Sequence, residues 1–136
     1  MKKTVKILIL CIFCCFTRIF SQLNFDSLSH ISYVALHDTY LNDVWGHVDN
    51  SGNEYALVGG RKGVSVVDVS VPENPEEIYW IPGTESVWRD VNTWQNYAYV
   101  TTEAESGLLI IDLNSLPDTS GINSHYYTGP VGSEWQ

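Results

Sequence analysis

The chain has 136 residues and is 44% hydrophobic, with seven basic against sixteen acidic side chains and a formal charge of −9. A length of this order holds one domain at most. Such acidity excludes nucleic acid and anionic lipid as partners, because both would be repelled, while it attracts cations and keeps the chain soluble.

In chain order the first element is a leader. "MKKTVK" is a basic opening, "ILILCIFCCF" is an unbroken apolar run, and "TRIFSQ" supplies Ser21 as the small residue before a cut. This is the form of a secretory signal peptide over residues 1–21, too short for a comfortable membrane span. Cleavage is expected between Ser21 and Gln22. The mature protein, residues 22–136, is then secreted or held at the cell surface, with no transmembrane segment of its own. A lipoprotein leader needs a small residue before the acylated cysteine; Cys11, Cys14 and Cys15 follow Leu10, Phe13 and Cys14, which disfavours one. All three cysteines lie in the leader, so the mature chain is expected to use neither disulfides nor thiolates. Lys2, Lys3, Lys6 and Arg18 leave with it. Arg61, Lys62 and Arg89 then stand as three cations against sixteen carboxylates, a formal charge of −13.

The mature part is rich in Val, Ile, Tyr and Trp and shows no stretch of helical periodicity, which predicts an all-β fold. "SLSHISYVAL" (Ser27–Leu36) reads as a first strand. "NDVWGHV" (Asn42–Val48), "EYALVGG" (Glu54–Gly60), "GVSVVDV" (Gly63–Val69) and "EEIYWIPG" (Glu76–Gly83) follow as strands. Asn, Ser and Gly in "DNSGNE" (Asp49–Glu54) mark one turn and "GGRKG" (Gly59–Gly63) the next. Pro72 and Pro75 in "VPENPEE" (Val71–Glu77) cannot extend a central strand and mark a third. The same order then returns: "RDVNTWQ" (Arg89–Gln95), "NYAYVTT" (Asn96–Thr102), "GLLIIDL" (Gly107–Leu113) and "SHYYTGP" (Ser124–Pro130), at offsets of 47, 42, 44 and about 47–48 residues.

A repeat of about 44 residues carrying three or four strands has the size of one β-propeller blade. A blade is sandwiched between neighbours, so its middle strands read as unbroken apolar runs, as "VSVVDV" and "LLIIDL" do. The blade units span about residues 42–83 and 89–130 of a propeller domain. "SEWQ" (Ser133–Gln136) resembles "SVWRD" (Ser86–Asp90) at an offset of 47, as the start of a third unit would. Two blades do not close a ring. The expectation is therefore the N-terminal fragment of a longer, here incomplete, propeller with open sheet faces.

These residues, in this order, resemble the opening of the choice-of-anchor B family. The likeness is carried by WG (Trp45–Gly46), EYALVG (Glu54–Gly59), VVDVS (Val66–Ser70), WRD (Trp88–Asp90), TW (Thr93–Trp94), YAYV (Tyr97–Val100) and LLIID (Leu108–Asp112), and it covers about Asn42 to Asp118. The family's repeat, LVIVD, describes the strand written here as "VSVVD" and "LLIID". The resemblance implies an exported bacterial protein, propeller-like, ending in one of several anchoring signals and without an assigned general catalytic activity. The family pattern usually has Tyr where this chain has His47.

Asp68 and Asp112 end the matching strands. Such a carboxylate either faces a ligand or metal, or accepts backbone N–H bonds from the residues that follow and fixes the exit from the strand. Recurrence in each repeat favours the structural role. Asp43 and Asp90, preceded by Asn42 and Arg89, hold matching places in the candidate innermost strands, which line a propeller's central channel. These four are the candidate ligand- or ion-binding residues, and a ring of such carboxylates would hold a hard cation such as Ca²⁺. The competing role is an Arg–Asp and Asp–backbone network that ties neighbouring blades together.

"DNSGNE" lacks the full calcium-loop spacing, and His30, His37, His47 and His125 show no zinc pattern. No cofactor other than Ca²⁺ is suggested. Trp45, Trp80, Trp88, Trp94 and Trp135 would serve as a sugar platform or as packing between blades, and repetition favours packing. No G-x-S-x-G, P-loop or Rossmann signature occurs, and Ser106 and Ser133 have no base partner in view. No catalytic residue is named. The function expected is an exported, surface-anchored propeller acting as a non-catalytic interaction or scaffold module, with a protein or glycan at the cell surface as partner. Two alternatives stay open: a metal-assisted hydrolase or lyase with its site at the central channel, and a repeat protein stabilised by calcium.

Overall fold

The computed structural model describes residues 26–104 and 107–129. The expected leader and its cleavage point at Ser21–Gln22 lie outside these residues, as do Ser106, Ser133, Trp135 and the expected start of a third unit.

Two four-stranded antiparallel sheets make up nearly all of the described chain. The first contains β1 (Leu41–Val48), β2 (Glu54–Gly60), β3 (Gly63–Asp68) and β4 (Glu76–Pro82). The second contains β5 (Arg89–Trp94), β6 (Tyr97–Thr102), β7 (Leu108–Asp112) and β8 (Asn123–Tyr127). Each sheet is an up-and-down meander in chain order, so each repeat unit is one blade-like sheet. The turns fall where Gly, Asn and Pro mark them. Arg61 and Lys62 alone join β2 to β3, and Gln95 and Asn96 join β5 to β6.

The β1–β2 turn is organised by Asp49. Its Oδ1 accepts the Ser51 and Asn53 backbone N–H groups at 2.8 and 2.9 Å, and its Oδ2 accepts Asn53 Nδ2 at 2.8 Å and the Tyr55 hydroxyl at 3.1 Å. Burial alone would push the carboxyl up; the four hydrogen bonds outweigh it and hold Asp49 at about 2. The same arrangement, with burial leading, pushes Tyr55 up to about 12, so its hydroxyl stays a donor.

The glycine that opens the third strand of each repeat has a steric reason. A Cβ on Gly63 would run into the Ile81 carbonyl and the Trp80 ring. At Gly107, where φ is +74°, a Cβ would sit 2.5 Å from the Tyr127 carbonyl. In both repeats β3 or β7 must start hard against its outer neighbour, and only glycine leaves room.

Side chains alternate across the first sheet. Tyr55, Leu57, Val64, Val66 and Ile81 form a single buried cluster with Val91, Ala98, Val100, Leu109 and Ile111 of the second sheet. The sheets come closest along β1 and β5 and splay outward. The loop after β7 fills the resulting wedge with Leu113, Leu116 and Ile122. Burial of β2 and β3 on both faces accounts for their unbroken apolar runs.

The opposite face of the first sheet is covered by residues 26–40, and here the sequence expectation is corrected. Ser27–Leu36 is not a strand. It is extended only as far as Ser32 and then forms a short helix, α1 (Tyr33–His37). Ser32 caps the helix, its Oγ accepting the Ala35 N–H at 3.4 Å, and Asp38 ends it in the left-handed region at φ 47°. The apolar residues of this stretch serve to cover a face instead of extending an edge: Tyr33 is buried with Val58 and Val67, and Ile31, Ala56, Val69 and Trp80 pack against them. This strap is fastened at its far end. His37 stacks flat on Trp80, with ring centres 3.7 Å apart, and its Nε2 meets both oxygens of Glu77 at 2.7 and 2.9 Å. The Ser65 hydroxyl donates to the same carboxylate at 2.5 Å.

Candidate interaction site at the seam between the sheets

The seam between β1 and β5 brings three of the four candidate inner-strand residues into hydrogen bonds between the repeats. Asn42 Nδ2 donates to the Ser86 carbonyl at 3.2 Å. Asp43 Oδ2 accepts the Val91 backbone N–H at 2.9 Å. Val91 is buried in the shared core, so this carboxylate serves an N–H on a strand with no other sheet partner on that side. Two residues on, Trp45 Nε1 donates to Thr93 Oγ1 at 3.1 Å.

Arg89 reaches the other way. Its side chain points back into the first sheet and the residue is only 4% exposed. Nη1 donates to the Gly60 and Gly63 carbonyls at 2.5 and 3.3 Å, and Nη2 donates to the Thr84 carbonyl at 2.7 Å. Burial lowers its pKa from the ordinary value. The charge is met by carbonyl dipoles at the β2–β3 turn, which is how a cation is kept in a core without a carboxylate. Gly59 makes the approach of β5 possible, since a Cβ there would lie 2.8 Å from the Arg89 carbonyl.

Asp90 is exposed, and its side chain makes no hydrogen bond among the described residues. It and Asp43 line one cleft of about 340 Å³ together with Trp45, Asn92, Tyr99 and Thr101. Asp68 and Asp112 sit at the opposite ends of their sheets' third strands. Each accepts the backbone N–H two residues on, from Ser70 at 2.8 Å and from Asn114 at 2.9 Å. That is an Asx turn, made in the same place in both repeats.

Among the described residues no three His, Cys, Asp or Glu side chains gather as metal ligands. The Ser65–Glu77–His37 chain is not a hydrolytic triad either. The carboxylate lies in the middle, so the serine donates to Glu77 and no imidazole can take its proton. Trp88 and Trp94 are exposed.

Comparison with known families finds the two sheets as two matches to one repeat. The LVIVD repeat matches residues 47–79 and 88–121. Two stretches of the chain are thus similar to that repeat. The first match runs from the end of β1 into β4, and the second from just before β5 through β7 to the turn that precedes β8. No curated protein and no solved structure matches the chain.

Two features of the LVIVD sheets were not legible beforehand. The His37–Glu77 pair joins residues forty apart with no spacing signal. Asp49 lies in a stretch that reads only as a turn, although an Asp two residues before a Ser and four before an Asn was available as a sign of side-chain capping.

Proposed function

We propose that the chain belongs to an exported, surface-anchored β-propeller of the choice-of-anchor B type, acting as a non-catalytic interaction or scaffold module. The observation that carries this reading is the use made of the seam. Asn42, Asp43, Trp45 and Arg89 are each committed to holding one LVIVD sheet on the next. A carboxylate bound to a strand N–H is a joint, and joints repeated along a chain build a rigid platform. Export rests on the leader at residues 1–21, anchoring on the family resemblance, and the partner is a protein or glycan met at the cell surface.

The test uses the full chain with its own leader, expressed in a bacterial host. Protein outside the cytoplasm with Gln22 at its N-terminus is expected, and saturable binding without turnover on protein and glycan arrays. A hydrolase or lyase activity lost in Asp43→Ala or Asp90→Ala overturns the scaffold reading. Retention in the cytoplasm with residues 1–21 intact overturns export.

A further inference from the structure

We infer that the bare strip of β1 on the strap side of the first sheet is the seat of residues 22–25, with Leu23 and Phe25 lying in it. The chain just ahead of the strap then finishes covering the face that the strap only begins to cover. The inference stands whether or not the leader is removed, since neither residue belongs to it.

Strand pairing fixes the face. Val44, Gly46 and Val48 stand opposite Val58, Ala56 and Glu54 of β2, and Val58 and Ala56 belong to the cluster beneath the strap. Tyr33 covers Val58 and Val67 but the strap stops short of β1, where Val44 is 60% and Val48 58% exposed. A groove of about 580 Å³ runs along this strip, with Val44, Gly46, Val48, Ala56 and Val69 in its lining. Its floor is low because the two smallest of these residues, Gly46 and Ala56, face each other across the ladder. A Cβ on Gly46 would meet nothing within 4 Å. Two exposed valines on either side of an empty floor leave apolar surface to be gained by one bulky apolar side chain set between them.

Reach, pattern and width choose the occupant. Ser29 is tied to the Pro72 carbonyl by a 2.6 Å bond, and Ala56 and Val69 line both the space under Ser29, His30 and Ile31 and the groove itself. From Ser29 back to Phe25 the chain spans up to about 14 Å, whereas β1 lies about 10 Å from β3. The segment is therefore long enough to cross from the strap's anchor to the bare strip. In "QLNF" the apolar Leu23 and Phe25 alternate with Gln22 and Asn24. An extended segment turns both to one side, about 7 Å apart, which is the spacing of Val44, Gly46 and Val48 along β1. The width excludes anything broader. A whole sheet laid on this face would need Val58 and Val67, which Tyr33 already covers. Residues 130–136 are poorly placed to compete, because they follow β8 at the far edge of the other sheet.

The experiment is urea unfolding of the full chain, followed by circular dichroism across double-mutant cycles. Phe25→Ala is expected to raise the unfolding equilibrium constant about tenfold, for the apolar surface it returns to water. In a Val48→Ala background that effect is expected to shrink by about threefold or more. In a Gly46→Leu background, whose added side chain fills the floor, it is expected to disappear. In a Val87→Ala background, where an exposed valine outside the groove is trimmed, it is expected to stay whole. A Phe25→Ala effect that is absent, or that is unchanged beside either Val48→Ala or Gly46→Leu, overturns the inference. Sedimentation of the full chain as a dimer that Val48→Asp dissolves overturns it in favour of a second copy.

Discussion

Asp43 is a carboxylate whose position in the sequence suggests a ligand and whose partner is a backbone. Its bond to Val91 N–H joins residues forty-eight apart and replaces a ladder bond that β5 cannot make on its inner side. Asp43→Ala is expected to cost about 1.5–3 kcal/mol in urea unfolding, with Asp43→Asn milder. Arg89→Met keeps much of the apolar stem but takes the guanidinium away from the carbonyls of Gly60, Gly63 and Thr84; a loss of about 3 kcal/mol is expected by the same measurement. His47 and Asp49 set the pH response. Burial holds His47 below its ordinary value, against the pull of Asp49 in the other direction. A histidine with a lowered folded pKa binds protons better when unfolded, so its contribution is complete above its ordinary value near 6.5 and is lost as pH falls below it. Asp49, held at about 2, adds a second loss between roughly pH 4 and pH 2. A melting-temperature series from pH 8 to 2 is expected to fall in these two stages, and His47→Phe is expected to abolish the first.

At the scale of elements, eight strands and their turns were legible because each depends on short-range chemistry: β-branched runs for β2, β3, β6 and β7, and Gly, Asn or Pro between them. The leading glycines of β3 and β7 were legible as a repeat but not as a requirement, since the atoms that forbid a Cβ belong to the Ile81 and Tyr127 carbonyls of the neighbouring strands. Gly63→Ala is expected to destabilise the first sheet by at least about 1–3 kcal/mol, because its obstacle is backbone and cannot turn aside. The strap differs from the expected strand because local pattern does not say whether an apolar stretch will lie along an edge or across a face. Its fastening is testable. His37→Ala removes both the stack on Trp80 and the bond to Glu77. Amide exchange at Leu36, Asp38 and Thr39 is expected to speed up about tenfold, while β2 and β3 amides hold their rates. Equal acceleration in both would show that the strap is not a separate unit.

Across the whole molecule the candidate site was legible only in part. The repeat singled out Asn42, Asp43, Arg89 and Asp90, because a repeated position is visible in one dimension. Which of them would be occupied was not, because that depends on which face of each strand meets the other sheet, and a single-residue shift in register would exchange the two. The two sheets share one core, so they are expected to unfold together. Leu57→Ala and Ile111→Ala, one in each sheet, should each cost about 2–5 kcal/mol and leave a single transition by both tryptophan fluorescence and circular dichroism.

The two-residue turn between β2 and β3 has one more consequence. It holds Arg61 and Lys62, and the guanidinium of Arg89 ends beside it on the Gly60 and Gly63 carbonyls. These are the only Lys or Arg side chains among the described residues. Among the described residues the Lys and Arg side chains are thus gathered at a single rim of the first sheet, where Asp38 meets Lys62 at 2.8 Å and Arg89 is buried. Arg61, its guanidinium 5.4 Å from the centre of the Tyr40 ring, is the cation that this rim leaves to an outside anion, felt over a screening length of about 10 Å in 0.1 M salt.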